Sequence, residues 1–134
     1  MEKMVRRICI DSDVLIAFLN KDERTKQNLE ALDADLYTTA INTFEIWYGR
    51  KKSETVFELL ESLHRLDLDD NAARLAADIL RKLKDSGKIL DMRDLFIAAI
   101  CIRNDVEFLT YNKKHFERLK EFGLILVIVK DTIN

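Results

Sequence analysis

The sequence contains no proline, only three glycines and only two cysteines among its 134 residues. Collagen-like repeats, low-complexity linkers and turn-rich β-sandwiches all need more proline or glycine, so those classes are disfavoured. The sequence also lacks any run of about 18 apolar residues, the length that a membrane-spanning helix requires. We therefore expect a globular protein that has no contact with a membrane.

The charge balance is close to neutral, because 22 Lys and Arg residues stand against 24 Asp and Glu residues, for a formal net charge of −2. A protein that binds nucleic acid by bulk charge alone would be strongly basic, so that class is excluded, whereas a local basic patch beside an acidic site is not. Apolar residues make up 48% and charged residues 34%, as in ordinary folded domains. The length predicts a single domain over residues 1–134.

Both cysteines, Cys9 and Cys101, lie inside apolar runs. This placement predicts buried free thiols in a reducing, cytoplasmic compartment, in preference to a disulfide or a metal-binding pair. A zinc site is disfavoured because the sequence has no Cys-x-x-Cys motif and only two histidines. We expect no signal peptide, since Asp11 and Asp13 interrupt the apolar run that follows the basic N-terminal residues.

Short apolar runs alternate with longer helical patterns along the chain. The short runs predict strands at residues 7–10, 35–39, 65–68, 106–109 and 124–129. The spacing of apolar residues predicts helices at residues 14–19, 22–32, 41–51, 54–63, 72–83 and 95–102, with Asp22 and Ser53 as N-caps and Gly87 as a helix stop. Strands that alternate with helices indicate an α/β fold, a three-layer α/β/α sandwich around a mainly parallel sheet of four or five strands.

Polar side chains follow the predicted strands, at the edge where open α/β sheets bind their ligands. Asp11, Ser12 and Asp13 come after the first strand, and Thr110 and Asn112 come after the fourth. An ordinary structural alternative exists, because an aspartate after a strand often caps the next helix and hydroxyls there often belong to turns or caps.

The predicted helices carry further acids at Glu45, Asp91 and Asp94. Each of the two aspartates would be favourable as an N-cap against the helix dipole. Glu45 lies within a mostly apolar segment, where a carboxylate costs free energy unless it is paired, hydrogen-bonded or bound to a metal. Its structural alternative is an ion pair with Arg50 or Lys51 at the helix surface.

Three carboxylates from separate segments, Asp11, Glu45 and Asp94, together with the amide oxygen of Asn112 would form an all-oxygen site suited to Mg²⁺ or Mn²⁺. Such an ion typically handles phosphate esters, because it polarises the phosphoryl oxygens and lowers the pKa of an attacking water. Crowded carboxylates without a cation repel one another, so we expect at least one raised pKa among them.

Four segments resemble the motifs of PIN-domain ribonucleases, and in particular those of the VapC-type toxins of toxin–antitoxin pairs. They are residues 10–16 (Ile-Asp-Ser-Asp-Val-Leu-Ile), Phe44-Glu45 with Gly49, residues 94–99 (Asp-Leu-Phe-Ile-Ala-Ala), and residues 109–116 (Leu-Thr-Tyr-Asn-Lys-Lys-His-Phe). The resemblance covers nearly the whole chain, in the same order as in the family.

The resemblance implies a PIN-like fold and a Mg²⁺- or Mn²⁺-dependent endoribonuclease with catalytic positions at Asp11, Glu45, Asp94 and Asn112. Asp11 and Asp94 would bind the main ion, and Glu45 would hold a second ion or orient the attacking water. Asn112 stands where many relatives carry an aspartate, so the number of ions stays open.

Four further residues, Asp13, Asp91, Ser12 and Thr110, are secondary candidates for the site. We expect Asp13 to hold the metal-binding residues in position without binding the metal itself, and Asp91 to cap its helix. Ser12 and Thr110 are expected to donate hydrogen bonds to the carboxylates or to the substrate.

The resemblance also implies an RNA substrate, a cognate antitoxin that covers the site, and a homodimer. Basic clusters at residues 50–52 and 113–114 could hold phosphates beside the acids, although a solvated helix end is the simpler explanation of each. Trp47 and Tyr48 could stack on bases, or they could pack in the core or a dimer interface. The amphipathic stretch at residues 54–63 could face a partner or the core.

Two other functions fit parts of the sequence. A catalytically silent PIN-like RNA-binding scaffold is disfavoured, because such scaffolds lose their site acids and three of the four positions here are acidic. A haloacid-dehalogenase-like phosphatase shares the opening strand followed by Asp11 and Asp13. However, Leu15 stands where that family usually has Thr or Val, and Glu45 would have no role.

Overall fold

The computed structural model describes residues 4–49, 53–88 and 90–129. In chain order the elements are β1 (Arg6–Ile10), α1 (Ser12–Leu19), α2 (Glu23–Glu30), β2 (Ala34–Thr39), α3 (Ala40–Gly49), α4 (Glu54–Glu61), β3 (His64–Leu66), α5 (Asp70–Asp85), α6 (Met92–Asn104), β4 (Glu107–Leu109), α7 (Lys113–Phe116) and a 3₁₀ helix (Glu117–Phe122).

The four strands form one parallel sheet in the order β3-β2-β1-β4. β1 is a central strand, and its Cys9 is in register with Tyr37 of β2 on one side and Phe108 of β4 on the other. The carboxyl ends of β2, β1 and β4 therefore lie next to one another at the same edge of the sheet.

Alternate side chains of β1 pack into two separate cores. Ile8 and Ile10 belong to a cluster with Leu15 of α1 and Leu60 of α4. Cys9 belongs to the other cluster, which α5 and α6 supply from the opposite face of the sheet. The side chains of Ile8, Cys9 and Ile10 are fully buried. The period of two in a strand explains why successive residues reach different layers, and the predicted three-layer α/β sandwich is confirmed.

The predicted N-caps and the predicted helix stop lie at helix ends in the structure. The side chains of Asp22 and Ser53 accept hydrogen bonds from the backbone N–H groups of Thr25 and Val56, at 3.1 and 3.2 Å. Gly87 adopts a φ of +73° just after α5, a conformation that glycine enters without the clash of a Cβ atom. These local caps fix the helix ends that the sequence predicted.

The predicted strand at residues 124–129 is wrong as a regular strand. Only one isolated parallel bridge forms there, between Phe108 of β4 and Leu126. Leu124 and Val127 are buried, whereas Ile125 is 52% and Ile128 is 88% exposed. The apolar run is thus not covered on both faces as a buried strand would be, and the sheet has four strands within the described part of the chain.

Smaller differences concern helix and strand ends. The third predicted strand is shorter than expected and is placed at His64–Leu66. The third predicted helix is described as far as Gly49, so the remainder of that prediction lies outside the described residues.

Both cysteines are buried and free, as predicted. In the described ranges, no helix combines the length and apolar character needed to cross a membrane.

Candidate active site

The pairing of β1 with β4 brings Asp11 and Thr110 side by side. Ile10 and Leu109 are the last residues in register, and the backbone N–H of Asp11 donates to the carbonyl of Leu109 at 2.9 Å. One residue beyond each strand, the Thr110 hydroxyl donates to Oδ2 of Asp11 at 2.7 Å. Residues 99 positions apart in the sequence are thereby joined at the sheet edge.

The Asp11 carboxylate is buried, with 8% of the residue exposed, and it accepts hydrogen bonds on both oxygens. Oδ1 accepts from the backbone N–H of Ser12 at 2.7 Å and from Nδ2 of Asn42 at 3.0 Å. Asp11 is also the N-cap of α1, so its structural alternative and its place at the strand end are both found in the structure. Three donors hold this side chain in one orientation.

Asn42 is a residue that sequence reasoning missed. It is fully buried in α3, where its Oδ1 accepts from the Thr39 hydroxyl at 2.7 Å and its Nδ2 also lies 2.9 Å from Oγ of Ser12. The Ser12 hydroxyl in turn donates to Oε1 of Glu45 at 2.7 Å. The available signal in the sequence was an asparagine three residues before Glu45, a spacing that places two side chains close together on a helix.

Glu45 has a different ionic partner from the one considered from the sequence. Its Oε2 lies 3.6 Å from Nη1 of Arg93, in the first turn of α6. Arg50 and Lys51, the predicted alternative partners, lie outside the described residues. The Arg93 guanidinium also lies 3.5 Å from Asp91, so it bridges two acids on separate elements. Sequence reasoning missed Arg93 because nothing in its local pattern marks this contact.

Asp91 and Asp94 occupy different positions on α6. Asp91 is the N-cap and accepts from the backbone N–H of Arg93 at 2.8 Å, which is the capping role expected for it. Asp94 lies in the first turn with 22% of its side chain exposed, 3.5 Å from Nδ1 of His115. His115 is the third residue, after Asn42 and Arg93, that sequence reasoning did not single out for the site.

Asn112 is exposed and contacts His115, with Nδ2 of the amide 2.9 Å from Nδ1 of the imidazole. Its backbone N–H donates to the Thr110 hydroxyl at 3.0 Å. Within the described ranges, no hydrogen bond joins its side chain to a site carboxylate. Asn112 therefore lies beside Asp94 through the shared contact with His115.

Asp13 contacts the segment that follows β4, at Thr110 and Tyr111. Its Oδ2 accepts from the backbone N–H of Tyr111 at 3.2 Å and lies 3.5 Å from the Thr110 hydroxyl. The Tyr111 hydroxyl extends the contact to Oγ1 of Thr25 at 2.5 Å, at the start of α2. These bonds fix the segment between β4 and α7 against α1 and α2.

Burial raises the pKa values of three site acids, and neighbouring negative charges raise two of them further. Burial, followed by the charge of Asp13, raises the pKa of Asp11 from 3.8 to about 7, against the opposing hydrogen bonds from Thr110 and Ser12. Burial also raises the pKa of Asp13. The pKa of Asp94 is raised by burial and then by the charge of Asp91. The expectation of at least one raised pKa is confirmed.

The donor set fits a hydrated divalent cation better than a closed metal cage. No three acidic, histidine or cysteine side chains of the described ranges converge as a complete ligand group. Mg²⁺ does not require one, because it keeps several waters and binds through one or two carboxylates. Asp11, Asp94 and Glu45 offer only hard oxygen ligands. A cation would offset the charge repulsion that adds to burial in raising the pKa values of Asp11 and Asp94.

The basic and aromatic candidates are only partly described. Residues 50–52 lie outside the described ranges, whereas Lys113 and Lys114 open α7 directly after Asn112. Trp47 is half-buried against the core. Tyr48 is 83% exposed and stacks on Phe44 with ring centroids 5.8 Å apart.

Comparison with known proteins gives matches along most of the chain. The model of the PIN domain family matches residues 8–121. Ribonuclease VapC1 of Methanocaldococcus jannaschii is 34% identical over 125 residues, covering 92% of this chain and 89% of the relative. Ribonuclease VapC10 of Mycobacterium tuberculosis is 30% identical over 118 residues, covering 85% and 89%.

Solved structures show the same fold. VapBC2 from Rickettsia felis, bound to a DNA fragment from its promoter, aligns with a TM-score of 0.76 at 24% identity over 90% of this chain and 97% of that one. DNA-bound VapBC from Salmonella typhimurium aligns with a TM-score of 0.78 at 23% identity over 92% and 98%. Because both identities are below 25%, these structures are evidence for the fold alone.

The raised pKa of Asp11 predicts how stability depends on pH without metal. The folded state holds this proton up to about pH 7, whereas the ordinary pKa is 3.8. In EDTA, the unfolding free energy of the wild type relative to Asp11→Asn should therefore fall as pH rises from about 4 to about 7, by up to about 4 kcal/mol. Urea titrations across this pH range measure the difference.

The matched control is Asp78→Asn, because Asp78 is exposed and, among the described residues, pairs only with the nearby Arg81 on α5. This variant should keep the pH dependence of the wild type. Parallel stability curves for the wild type and Asp11→Asn would contradict the assigned pKa.

Proposed function

The chain belongs to the PIN-domain family and, within it, to the VapC ribonucleases, and on that premise we propose that the acids around Asp11 hydrolyse RNA phosphodiester bonds with a bound Mg²⁺ or Mn²⁺. The observation that carries the proposal is the buried, oriented Asp11 carboxylate with its raised pKa at the carboxyl edge of the sheet. Membership of this family leaves the haloacid-dehalogenase-like alternative without support. Buried free cysteines are compatible with action in a reducing cytoplasm.

In this proposal Asp11 and Asp94 hold the main ion, and Glu45 holds a second ion or orients the attacking water. The ion would polarise the phosphoryl oxygens and lower the pKa of a bound water. Thr110 and Asn42 keep the two Asp11 oxygens in fixed directions. Pre-oriented ligands reduce the rearrangement needed when the ion and RNA bind.

The remaining residues act on these ligands. Ser12 donates to Oε1 of Glu45, which fixes the direction of that carboxylate. Asp13 and Thr110 hold the segment that presents Asn112. Asn112 is the most exposed of the four proposed catalytic residues. It would position a ligand or a phosphate beside Asp94.

Cleavage of RNA by the purified chain is the decisive test. With Mg²⁺ or Mn²⁺ it should cut a mixed pool of single-stranded RNA, and EDTA should stop the reaction. Asp11→Asn and Asp94→Asn should each lower the rate by roughly 100-fold or more, because metal stabilisation of the transition state contributes several kcal/mol. Gel analysis of end-labelled RNA measures the rate.

Asp78→Asn serves again as the control, since it removes one exposed carboxylate on α5 and should leave cleavage unchanged. RNA that is bound but never cut would identify the silent scaffold instead. Full activity in Asp94→Asn would refute the assignment of that residue.

An antitoxin is the proposed protein partner. The solved structures of similar fold include VapBC and a toxin–antitoxin complex from Klebsiella pneumoniae. On this chain, an apolar groove of about 240 Å³ supports the proposal, because it offers a surface for a hydrophobic peptide segment. Its apolar lining includes Ile10, Leu15, Phe18, Leu29, Leu36 and Leu59.

A charge placed in this groove should weaken the complex. Leu29→Asp puts a carboxylate where the antitoxin would bury apolar surface, so the yield of co-purified antitoxin should fall at least about tenfold after co-expression. Ala77→Asp adds the same charge to an exposed position on α5 and is the control. Equal co-purification with both variants would argue against this groove.

A homodimer through α3 is the proposed oligomeric state. Phe44 and Tyr48 are 61% and 83% exposed, and their rings stack on each other. A stacked aromatic pair on the surface supplies a large rigid apolar area, which is typical of interfaces.

Light scattering tests this proposal directly. The wild type should have twice the 15.7 kDa mass of the chain, and Tyr48→Asp should shift the equilibrium towards monomer at least about tenfold. Ile128→Asp, which charges an equally exposed apolar position elsewhere, should stay dimeric. A monomeric wild type at micromolar concentration would refute the proposal.

A further inference from the structure

A small cavity adjoins Asp94. It has a volume of about 190 Å³ and is lined by Leu90, Asp91, Asp94, His115 and Arg118. A water molecule occupies about 30 Å³ in the liquid, so this space can take a group larger than one water. The proposed function gives the cavity no role beyond the Asp94 carboxylate.

Arg118 is the cation of this cavity that has no partner among residues 4–49, 53–88 and 90–129. It is half-buried in the 3₁₀ helix, and no hydrogen bond or ion pair joins it to another residue in the part of the chain that the structure describes. By contrast, Arg93 lies near both Asp91 and Glu45, and His115 contacts Asn112 and Asp94. The Arg118 guanidinium is therefore available to an incoming anion.

The charges around the cavity favour an anion that arrives together with a metal ion. Arg93 offsets the charge of Asp91, and an ion at the site would offset that of Asp94. Arg118 then remains as a positive charge in the same cavity as the Asp94 carboxylate. A planar guanidinium matches a phosphate group through two parallel hydrogen bonds, and RNA carries its next phosphate one nucleotide away.

We propose that Arg118 holds the RNA phosphate adjacent to the one that is cleaved, in the cavity between α6 and the 3₁₀ helix. The inference rests on the proposed ribonuclease function and adds a substrate contact to it. Leu90 forms an apolar wall for the sugar, and His115 links this subsite to Asp94 and Asn112.

Salt dependence of RNA binding tests the contact, because each phosphate contact contributes about 0.7 to the slope of log K against log salt for single strands. Binding of a fluorescent single-stranded RNA is measured by anisotropy with Mg²⁺ in the Glu45→Gln background. We expect this change to stop cleavage, because it removes the carboxylate proposed to orient the attacking water, while it keeps Asp11 and Asp94, the proposed ligands of the main ion. Adding Arg118→Gln should raise Kd about tenfold at low salt and reduce the slope by about 0.7. Arg118→Lys should keep the wild-type slope, since it keeps the charge.

Arg103→Gln is the matched control, because it removes the same charge from an exposed position in the last turn of α6. It should change neither Kd nor slope. In the otherwise wild-type chain, Arg118→Gln should raise KM for cleavage more than it lowers kcat. Thermal melts establish that each variant is folded.

The outcomes separate the two proposals. If the wild type cleaves RNA and Arg118→Gln behaves like Arg103→Gln, the subsite is wrong while the ribonuclease function stands. If the folded wild type neither binds nor cleaves single-stranded RNA, both are wrong. A tenfold rise in Kd with an unchanged slope would also overturn the phosphate contact.

Discussion

The burial of one carboxylate, that of Asp11, is the constraint on which the site depends. A carboxylate removed from water must receive hydrogen bonds, and here the donors come from three different elements. Thr110 lies at the end of β4, the Ser12 N–H begins α1, and Asn42 lies in α3. The parallel alignment of β1 with its neighbours is what brings these donors to one place.

Glu45 and Asp94 are paired with basic side chains through longer and more exposed contacts than those at Asp11. Arg93 stands 3.6 Å from Glu45, and His115 stands 3.5 Å from Asp94. Both basic side chains are more than half exposed, and ion pairs of that kind contribute little to stability. In the proposed mechanism a divalent cation would therefore replace these contacts at small cost, whereas the hydrogen bonds at Asp11 would keep that carboxylate oriented.

The fold and the acidic positions could be predicted because their signals are local. Apolar runs, N-cap residues such as Asp22 and Ser53, and acids after strands are all visible within a few residues of the chain. Asn42, Arg93 and His115 were missed, because their importance comes from contacts with residues that are distant in sequence. The strand expected at residues 124–129 failed for a related reason, since apolar content does not reveal whether both faces will be covered.

The two edge strands of the sheet, β3 and β4, affect how the protein can associate with other chains. β3 and β4 have three residues each, and His64 and Arg65 of β3 are exposed. Residues 125–127 pair with Phe108 of β4. An unpaired strand edge is a template on which another chain can extend a sheet, and short, charged or covered edges suppress that route to aggregation. Edge protection of this kind leaves the helical surfaces as the places where the protein can associate with copies of itself or with other proteins without forming a continuous sheet.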